Sequence, residues 1–474
     1  MKILDLLESK RLLMVSNRLP YSPVKTSTGI QYKIGPGGLV VALDPILRTT
    51  HGVWIGWDGG GVLSEKTFKK IEMGEGTEES YQLCFIPLTE REVENYYHGF
   101  SNRTLWPLLH SFIDRVNIGR HQWEVYKMVN QKFAKTILKE WQANDFVWIH
   151  DYHLMLVPRL LREWDILPHF FLHIPFPPYE IFRILPWRRD ILDGILGAHV
   201  VGFHTESYAR NFLDCVQKIC GYPVDWHTKT IMLSDRNIKV RAFPISIDTQ
   251  RFVKLASSRA VEESLRHMRP HIHNRRIILG VDRLDYTKGI KERLLAIERF
   301  LEKYAKYRHQ VLFVQLALPS RTRVKEYLDM KRQIDQLVGH INGRFTEEGP
   351  TPIRYIYRQV PSNTLMAYYR LASICLVTPL RDGMNLVAKE YVTCNLDRNG
   401  ILVLSELTGA SEELKEALVM NPYNIEEAAD IIAKALEMPA EEKRQRMEAM
   451  RHRVEKYDIH RWVADFLEES RSQN

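Results

Sequence analysis

Several features that would assign a protein to a special class are scarce or missing in this sequence. The 474 residues contain five cysteines, an odd number, and no C-x-x-C pair. Isolated cysteines of this kind argue against a disulfide framework and predict reduced thiols in a cytoplasmic protein. No run of 18 apolar residues occurs, so no transmembrane helix is expected. Asp5 and Glu8 interrupt the apolar stretch that a signal peptide needs.

Blocks of like charge are missing too. The 66 Lys and Arg exceed the 58 Asp and Glu and give a formal net charge of +8, but they are dispersed and do not alternate with aromatic residues. Binding to nucleic acid or another polyanion therefore ranks low. With 45% hydrophobic and 26% charged residues, the composition is that of an ordinary globular protein. The length predicts about two or three domains.

Strand-like and helix-like segments alternate along the chain, which predicts an α/β fold with parallel sheets. The predicted strands are 11–16, 146–150, 170–174, 199–203 and 239–243 in a first series, and 276–281, 310–316, 353–357, 373–378 and 400–404 in a second. A loop of about twenty residues is expected after the first strand. A polar, helix-prone stretch separates the two series. We therefore predict domains at 1–250 and 251–455.

The most informative stretch is T-P-L-R-D-G-M-N-L-V-A-K-E-Y-V, residues 378–392. It follows an apolar run typical of a buried strand and takes up helical spacing from Leu386. The free N–H groups of a first helical turn and the helix dipole favour a phosphate or sugar there. Asp382 is placed to accept hydrogen bonds from sugar hydroxyls, and Glu390, one turn into the helix, faces the same crevice. Because strand–loop–helix units are common, the specific string carries the inference.

This string resembles the donor site of the trehalose-6-phosphate synthase family, whose pattern is D-G-M-N-L-x-x-K-E. The pattern is complete here as Asp382, Gly383, Met384, Asn385, Leu386, Lys389 and Glu390. At least six family motifs follow in order between Val15 and about Tyr423. The resemblance implies an α/β protein with two Rossmann-like domains facing across a cleft, as in GT-B type glycosyltransferases. It also implies that a C-terminal helix, about 456–474, crosses back to the first domain.

A second motif, V-D-R-L-D-Y-T-K-G at 281–289, places Arg283 and Lys288 on one short loop beside a helix N-terminus. Two cations and helix amides can neutralise a diphosphate leaving group without a metal. The competing interpretation is a charged turn balanced by Asp282 and Asp285. In the family that the motif resembles, this arginine and lysine bind the nucleotide diphosphate.

Two N-terminal strings, V-S-N-R at 15–18 and G-P-G-G at 35–38, form a third motif. The predicted strand ends at Ser16, so Arg18 projects from its carboxyl end. Gly37 and Gly38 let a ligand approach the backbone ahead of a helix. The resemblance implies that Arg18 binds the phosphate of the acceptor and that the Gly38 N–H contacts the pyrophosphate of the donor.

The family pattern extends the acceptor's phosphate site to three further residues. They are Tyr97, Trp106 and Arg321. Arginine is suited to bidentate phosphate binding, whereas the two aromatic residues alone would be interpreted about equally well as core. The choice between Tyr96 and Tyr97 stays open.

The strings H-D-Y-H at 150–153 and L-H-I-P-F-P-P at 172–178 each follow a strand. A metal site is not the preferred interpretation of His150, Asp151 and His153, since strand alternation splits them between faces and no further ligand stands at suitable spacing. On structural grounds His150 is a core histidine. The resemblance implies that Asp151 lies at the acceptor sugar and His173 near the transferred glucose. No metal or other cofactor is expected.

The resemblance implies an enzyme that moves glucose from UDP-glucose to glucose 6-phosphate with retention, giving α,α-trehalose 6-phosphate and UDP. Neither nucleic acid nor a membrane is an expected partner. One alternative keeps the fold with another phosphorylated acceptor, such as glycerol 3-phosphate in glucosylglycerol-phosphate synthases. It ranks lower because those enzymes lack the V-S-N-R and P-S-R arginines present here. The other is a non-catalytic sugar-phosphate sensor. The donor base (UDP, GDP or ADP) and a homo-oligomer (dimer or tetramer) are not determined by the sequence.

Overall fold

The computed structural model describes residues 3–8, 10–26, 29–34, 38–59, 70–74, 80–321, 324–346 and 349–471. The chain divides into two units, Met1–Ile245 with Ile459–Asn474 and Ser246–Asp458. The sequence placed these boundaries at 250 and at about 456. Each unit is built on a sheet of mainly parallel strands connected by helices, so the predicted α/β class is confirmed.

Unit 1 contains a ten-stranded sheet and a separate hairpin. Its strands are β1 Leu12–Arg18, β2 Tyr21–Thr26, β3 Gly29–Ile34, β4 Val53–Trp57, β5 Lys70–Met73, β6 Tyr81–Ile86, β7 Phe146–His150, β8 Pro168–Phe171, β9 Val200–Phe203, β10 Val224–Asp225, β11 Thr230–Met232 and β12 Asn237–Ala242. The sheet order is β10-β11-β12-β9-β8-β7-β1-β4-β6-β5. The seven strands from β12 to β6 are parallel. At the two edges the pairs β12–β11, β11–β10 and β6–β5 are antiparallel.

Unit 2 contains a six-stranded, fully parallel sheet. Its strands are β13 Arg276–Arg283, β14 Val311–Leu318, β15 Ile353–Ile356, β16 Ala372–Val377, β17 Ile401–Ser405 and β18 Leu418–Met420. They lie in the order β15-β14-β13-β16-β17-β18, which is the strand order of a Rossmann fold.

The direction of strand addition reverses once in each unit. In unit 1 the sheet grows from β1 through β4 on one side and from β7 on the other, and in unit 2 the reversal lies between β13 and β16. Open α/β sheets bind ligands at such a switch point, beyond the carboxyl ends of the strands. The topology therefore predicts ligand binding at the loops after β1, β7, β13 and β16.

The helices connect these strands. The α-helices of unit 1 are Ile3–Leu7, Gly38–Thr50, Glu90–Glu92, Trp106–Leu109, Arg120–Glu140, Val157–Arg162, Tyr179–Phe182, Arg188–Ile195, Glu206–Cys215 and Ile459–Arg471. Those of unit 2 are Thr249–Ala256, Arg259–Met268, Ile290–Lys303, Lys325–Phe345, Ser362–Leu371, Leu386–Cys394, Ala410–Glu413, Ile425–Glu437 and Ala440–Lys456. Val93–Leu105 and Val216–Cys220 are π-helical, and short 3₁₀ turns occupy Ile113–Arg115, Tyr152–Leu154, Arg269–Ile272, Tyr286–Lys288 and Ala305–Tyr307.

The strands supply the two cores. The side chains of β4 and β7 are all buried, as expected for parallel strands covered on both faces. The five cysteines, Cys84, Cys215, Cys220, Cys375 and Cys394, are buried and unpaired by disulfides. Across the part of the chain that the structure describes, no helix is long and apolar enough to cross a membrane.

The structure differs from the prediction mainly in the first 90 residues. The loop expected after β1 is in part the antiparallel hairpin β2–β3, whose Pro23 and polar residues weaken the strand signal. Strands β4 and β6 were not predicted, because short apolar runs resemble buried helix segments. The first strand continues to Arg18 instead of ending at Ser16. The ten predicted strands are otherwise confirmed, with ends shifted by up to three residues.

Candidate active site

The end of β13 and the turn that follows it carry the two cations of the second motif. Arg283 is the exposed last residue of β13, not a loop residue as predicted, and Lys288 ends the 3₁₀ turn Tyr286–Lys288. Gly289 follows with φ of 62°, and a Cβ at this position would lie 2.1 Å from the carbonyl oxygen of Thr378. Only glycine fits this conformation and this close approach. Gly289 therefore allows the β13 loop to pack against the chain leaving β16.

This packing brings the first and second motifs together. Nζ of Lys288 lies 2.7 Å from Oδ2 of Asp382, which also accepts a 3.0 Å hydrogen bond from Nδ2 of Asn385. Oδ1 of Asn385 caps the helix Leu386–Cys394 by accepting from the N–H of Ala388. Asn385 thus stabilises the helix N-terminus and orients Asp382 at the same time. One carboxylate oxygen of Asp382 is shared by a cation and an amide.

The remaining residues of the first motif are buried or half-buried. Gly383 and Met384 are buried, and Leu386 is a half-buried first helical residue. Lys389 is buried, and its Nζ lies 2.6 Å from Oε2 of Glu413. This motif lysine therefore has a structural role.

Glu390 faces Tyr369 on the preceding helix. Its Oε2 accepts a 2.7 Å hydrogen bond from the hydroxyl of Tyr369, which is fully buried. Burial raises the pKa of Glu390, and the hydrogen bond from Tyr369 partly offsets this. The carboxylate is held in one orientation and has further acceptor capacity for ligand hydroxyls.

Arg321 takes a position that the sequence did not predict. It follows β14 with φ of 46°, and its Nη1 donates to Oδ2 of buried Asp285 at 2.6 Å. Nη1 is also hydrogen-bonded to the hydroxyl of Tyr327. Burial raises the pKa of Asp285, but Arg321, Arg283 and Lys288 outweigh it and lower this pKa to about 2. The guanidinium predicted to bind a phosphate is here the countercharge that a buried carboxylate requires.

A buried arginine lies beneath these loops. Arg293 is almost fully buried; it donates from Nη1 to Asp282 and to Oε1 of Gln315, and from Nε to Oγ1 of Thr378 at 3.0 Å. It thus links three neighbouring strands, since Asp282 lies on β13, Gln315 on β14 and Thr378 directly after β16. Asp282 and Asp285 are thus bonded to Arg293 and Arg321, while Lys288 is bonded to Asp382. These pairs disfavour the interpretation of the second motif as a self-balanced charged turn.

In unit 1, Arg18 lies at the end of β1 between two aromatic rings. Its guanidinium carbon is 4.8 Å from the ring centroids of both Trp57 and Tyr97. Such cation–π contacts orient a guanidinium while leaving its N–H groups available to a ligand. Trp57, which ends β4, was not singled out in the sequence. Its signal is the apolar run V-W-I-G-W at 53–57.

Tyr97 and Trp106 belong to the region that follows β6. Tyr96 is fully buried, and its hydroxyl donates to Oδ1 of Asn17 at 2.9 Å, whereas Tyr97 is half-buried. Of the two adjacent tyrosines, Tyr97 is therefore the one accessible to a ligand. Trp106 is almost fully buried, with its ring centroid 5.6 Å from that of Tyr152. Both belong to a π-helical segment or its end, a conformation frequent at functional sites.

Asp151 follows β7 in a strained conformation. Its φ of 76° and ψ of 167° lie in a region adopted almost only by glycine. Its Oδ1 accepts a hydrogen bond of 3.3 Å from the backbone N–H of His173. The structure therefore joins the two residues that the sequence proposed near the sugars.

His173 also contacts a second histidine. Its Nε2 lies 3.0 Å from Nδ1 of His150. Burial lowers the pKa of His173 well below its ordinary value, and His150 and His204 lower it further. His173 is thus a neutral ring at neutral pH.

Gly38 is the exposed first residue of the helix Gly38–Thr50. Gly35 and Gly37 of the same motif lie outside the described residues. Among the residues that are described, no group of three or more His, Cys, Asp or Glu side chains is arranged to hold a metal ion.

Comparisons with known proteins agree over the length of the chain. The sequence profile of glycosyltransferase family 20 matches residues 10–472. A trehalose-6-phosphate synthase of Mycobacterium sp. (strain KMS) is 44% identical over 467 residues, which are 96% of this chain and 94% of that protein. A bifunctional trehalose-6-phosphate synthase/phosphatase of Thermoproteus tenax is 44% identical over 472 residues, 96% of this chain, and the chain spans 63% of its length.

Solved structures are similar as well. A UDP-forming α,α-trehalose-phosphate synthase of Burkholderia xenovorans, in complex with glucose-6-phosphate, has a TM-score of 0.89 at 35% identity, covering 98% of this chain and 100% of that chain. A structure from E. coli bound with UDP-2-fluoro glucose has a TM-score of 0.89 at 34% identity with the same coverage. With two parallel-sheet units, these similarities identify the fold as the GT-B type.

Proposed function

The chain belongs to glycosyltransferase family 20, and from this premise we propose that it transfers glucose from UDP-glucose to glucose 6-phosphate. The products are α,α-trehalose 6-phosphate and UDP, with retention of the anomeric configuration. The observation that carries the proposal is the cluster at the switch point of unit 2, where Lys288 and Asp382 from two separate motifs meet at 2.7 Å. The two solved relatives, one with glucose-6-phosphate and one with UDP-2-fluoro glucose, support the choice of substrates.

Unit 2 is assigned to the donor. Arg283 and Lys288 stabilise the diphosphate as its negative charge develops, and the helix N-terminus after Asn385 adds backbone dipoles. Asp382 holds glucose hydroxyls and Glu390 holds the ribose hydroxyls. Lys288 and Asp382 hold each other in place, and Tyr369 holds Glu390, before any ligand arrives. Little reorganisation of these groups is therefore needed during the reaction.

Unit 1 is assigned to the acceptor. Arg18, oriented by Trp57 and Tyr97, binds the phosphate, and Asp151 binds the acceptor sugar. Arg321, which belongs to unit 2, is proposed by resemblance as a further ligand of the acceptor's phosphate. To reach a phosphate, its guanidinium has to exchange or share its bond with Asp285.

We assign the retained anomeric configuration to attack by the acceptor on the same face of the glucose from which the leaving group departs. The C1–O bond to the diphosphate breaks, the acceptor hydroxyl oxygen bonds to C1 on the same face, and the departing diphosphate takes the hydroxyl proton. Catalysis is then positioning plus electrostatic stabilisation. The proposal requires no covalent glycosyl-enzyme intermediate and no nucleophilic carboxylate.

The test is nucleotide release from the purified protein. UDP-, GDP- and ADP-glucose are each offered with glucose 6-phosphate, and the disaccharide phosphate is identified by mass spectrometry. UDP release that depends on glucose 6-phosphate and yields trehalose 6-phosphate is the expected result. Release only with glycerol 3-phosphate would replace the acceptor, and nucleotide-sugar binding without release from any pair would favour a sensor.

Three expectations about partners stay predictions. The sequence features disfavour nucleic acid and membrane partners, which salt-dependent DNA binding or vesicle sedimentation would contradict. The homo-oligomer, a dimer or tetramer, is tested by analytical ultracentrifugation.

A further inference from the structure

A pair of histidines lies under the switch point of unit 1. His150 is the last residue of β7 and is fully buried, whereas His173 lies two residues beyond β8 and is half-buried. Nδ1 of His150 and Nε2 of His173 are 3.0 Å apart, and the ring planes are inclined by 30°. This is a hydrogen bond between two imidazoles, and the family resemblance implies that one of them, His173, lies near the transferred glucose.

Both rings are neutral at neutral pH. Burial lowers the pKa of His150 to about 3, and burial, His150 and His204 lower that of His173. The ionisable groups that face the pair are His204, with its ring centroid 5.3 Å from that of His173, and Asp151, which accepts the backbone N–H of His173. A neutral imidazole has one N–H donor and one acceptor nitrogen, so one ring donates and the other accepts.

The second nitrogen of His150 indicates which ring donates. Its Nε2 is buried near the ring of Trp148 and has no hydrogen-bond partner among the described residues. If His173 donated, the proton of His150 would sit on Nε2 as a buried N–H without a partner, at a cost of roughly 1–3 kcal/mol. Unpartnered buried N–H groups are rare in proteins, more so than under-satisfied acceptors. If Nδ1 of His150 donates instead, Nε2 carries no proton and leaves only an unpartnered lone pair. This is the less costly arrangement, and it identifies His150 as the donor.

We propose that His150 is a positioning residue that sets the tautomer of His173. By donating from Nδ1 to Nε2 of His173, it holds His173 as the Nδ1–H tautomer, so that Nδ1 becomes the hydrogen-bond donor presented to the transferred sugar. The inference rests on the proposed function, glucosyl transfer, and on the family resemblance, which implies that His173 lies near the transferred glucose.

The arrangement suits glycosyl transfer chemically. Nδ1–H of a neutral ring orients a sugar hydroxyl by donating to its oxygen. The neutral ring places no positive charge next to the oxocarbenium-like transition state, as an imidazolium would. A fixed tautomer also means that Nδ1 of His173 carries the proton in every enzyme molecule, because Nε2 accepts the hydrogen bond from His150 and is not protonated.

The first test is NMR of the full-length protein with ¹⁵N-labelled histidine. Long-range ¹H–¹⁵N correlations identify the protonated nitrogen of each ring, and the His173→Gln spectrum assigns the signals of His173. We expect His173 protonated at Nδ1 in the wild type, a tautomer mixture in His150→Phe, and the Nδ1–H form restored in His150→Asn, whose amide N–H takes the place of Nδ1–H. A wild-type His173 protonated at Nε2 overturns the proposal.

The second test is kinetic. In His150→Phe we expect kcat to fall about 10- to 100-fold, the size expected from a misplaced group, with the KM for glucose 6-phosphate within about threefold of wild type. His150→Asn should recover most of the loss. The matched control is His169→Phe, another buried histidine on the same sheet, whose ring contacts are with Phe146, His199 and Phe466.

The outcomes separate the inference from the function. Equal losses of kcat in His150→Phe and His169→Phe, or no recovery of kcat in His150→Asn, would show that His150 acts only through packing. Either result would overturn the proposal. A wild-type protein that transfers glucose to no acceptor would overturn the proposed function instead. The NMR measurement would then still decide the tautomer of His173.

Discussion

At the scale of the residue, Asp151 shows how chemistry and stability oppose each other. Its backbone conformation, φ of 76° and ψ of 167°, suits glycine, and such strain costs on the order of 1–3 kcal/mol in a non-glycine residue. An aspartate at this position therefore lowers the stability of the fold. Strain of this kind clusters at functional sites, which agrees with the acceptor-binding role proposed for its carboxylate.

The first prediction compares Asp151→Gly with Asp151→Ala. Both variants lose the carboxylate and its bond to the His173 N–H, so both should lose transfer activity. Only glycine relieves the strain, but it also loses more conformational entropy on folding than alanine. The free energy of unfolding of Asp151→Gly should therefore exceed that of Asp151→Ala by about 1–2 kcal/mol. Urea unfolding measures the difference. Equal unfolding midpoints would show that the backbone at 151 is unstrained.

The second prediction concerns Arg283, the exposed cation at the end of β13. Because it is proposed to stabilise charge that develops on the departing diphosphate, Arg283→Ala should lower kcat about 10²–10³-fold with the fold intact. Arg332→Ala is the matched control, since this arginine is 75% exposed on the helix Lys325–Phe345. Steady-state rates and circular dichroism give the result. A near-normal rate in Arg283→Ala would remove this residue from the mechanism.

At the scale of the element, pairs of loops and helices hold the site. The loop after β13 and the loop after β16 meet because Gly289 has no side chain, and Arg293 ties the strands below them. The helices Ser362–Leu371 and Leu386–Cys394 meet through Tyr369 and Glu390. Asp382 and Glu390, two of the proposed ligand-binding residues, are therefore each supported by an element other than their own.

The third prediction follows from the pKa of Glu390, which burial raises. Ionised Glu390 is proposed to accept hydrogen bonds from the ribose hydroxyls. Acidification through this raised pKa should therefore increase the KM for UDP-glucose at a higher pH than for an ordinary glutamate. Tyr369→Phe removes a hydrogen bond that favours the ionised form. The acid limb should therefore move to higher pH, with the KM for glucose 6-phosphate unchanged.

The control for this prediction is the neighbouring buried tyrosine. Tyr368→Phe removes a hydroxyl from the same helix but should leave the pH profile of the donor KM in place. If both tyrosine variants shift the profile alike, or neither does, the hydrogen bond to Glu390 does not control donor binding.

At the scale of the whole molecule, the C-terminal helix Ile459–Arg471 belongs to unit 1 although unit 2 precedes it in the chain. Trp462 and Phe466 are buried and stack on Trp148 of β7, with ring centroids 5.1 and 4.2 Å away. Nε1 of Trp462 donates to the carbonyl oxygen of Phe243 at 2.9 Å. The last helix thus completes the core on which β7, and with it Asp151, rests.

The fourth prediction tests this dependence. Trp462→Ala removes a fully buried indole and should lower the free energy of unfolding by about 3–5 kcal/mol. Trp164→Ala, on the same unit but 64% exposed, is the control and should change it by less than about 0.5 kcal/mol. Chemical denaturation followed by fluorescence measures both. A loss in Trp462→Ala as small as that expected for Trp164→Ala would mean that the last helix contributes little to the stability of unit 1.

Much of this architecture was predictable from short stretches of sequence. The strand before residue 378, the helix from Leu386 and the loop with Lys288 were each marked by apolar runs, glycine and charged residues within about fifteen positions. The short buried strand β4 and the hairpin β2–β3 were not, because their patterns are too short or too polar to separate from helix or loop. The site residue Trp57 was missed for the same reason.

The sequence by itself determined the α/β class, the family and the set of side chains proposed to bind a nucleotide sugar, since local periodicity and motif strings indicate them. Only the tertiary structure decided how those side chains pair: Lys288 with Asp382, Arg321 with Asp285. It also selected Tyr97 over Tyr96 as the accessible ring and set His150 beneath His173. Such choices depend on distances between residues far apart in the chain, and those distances are set by strand order and core packing.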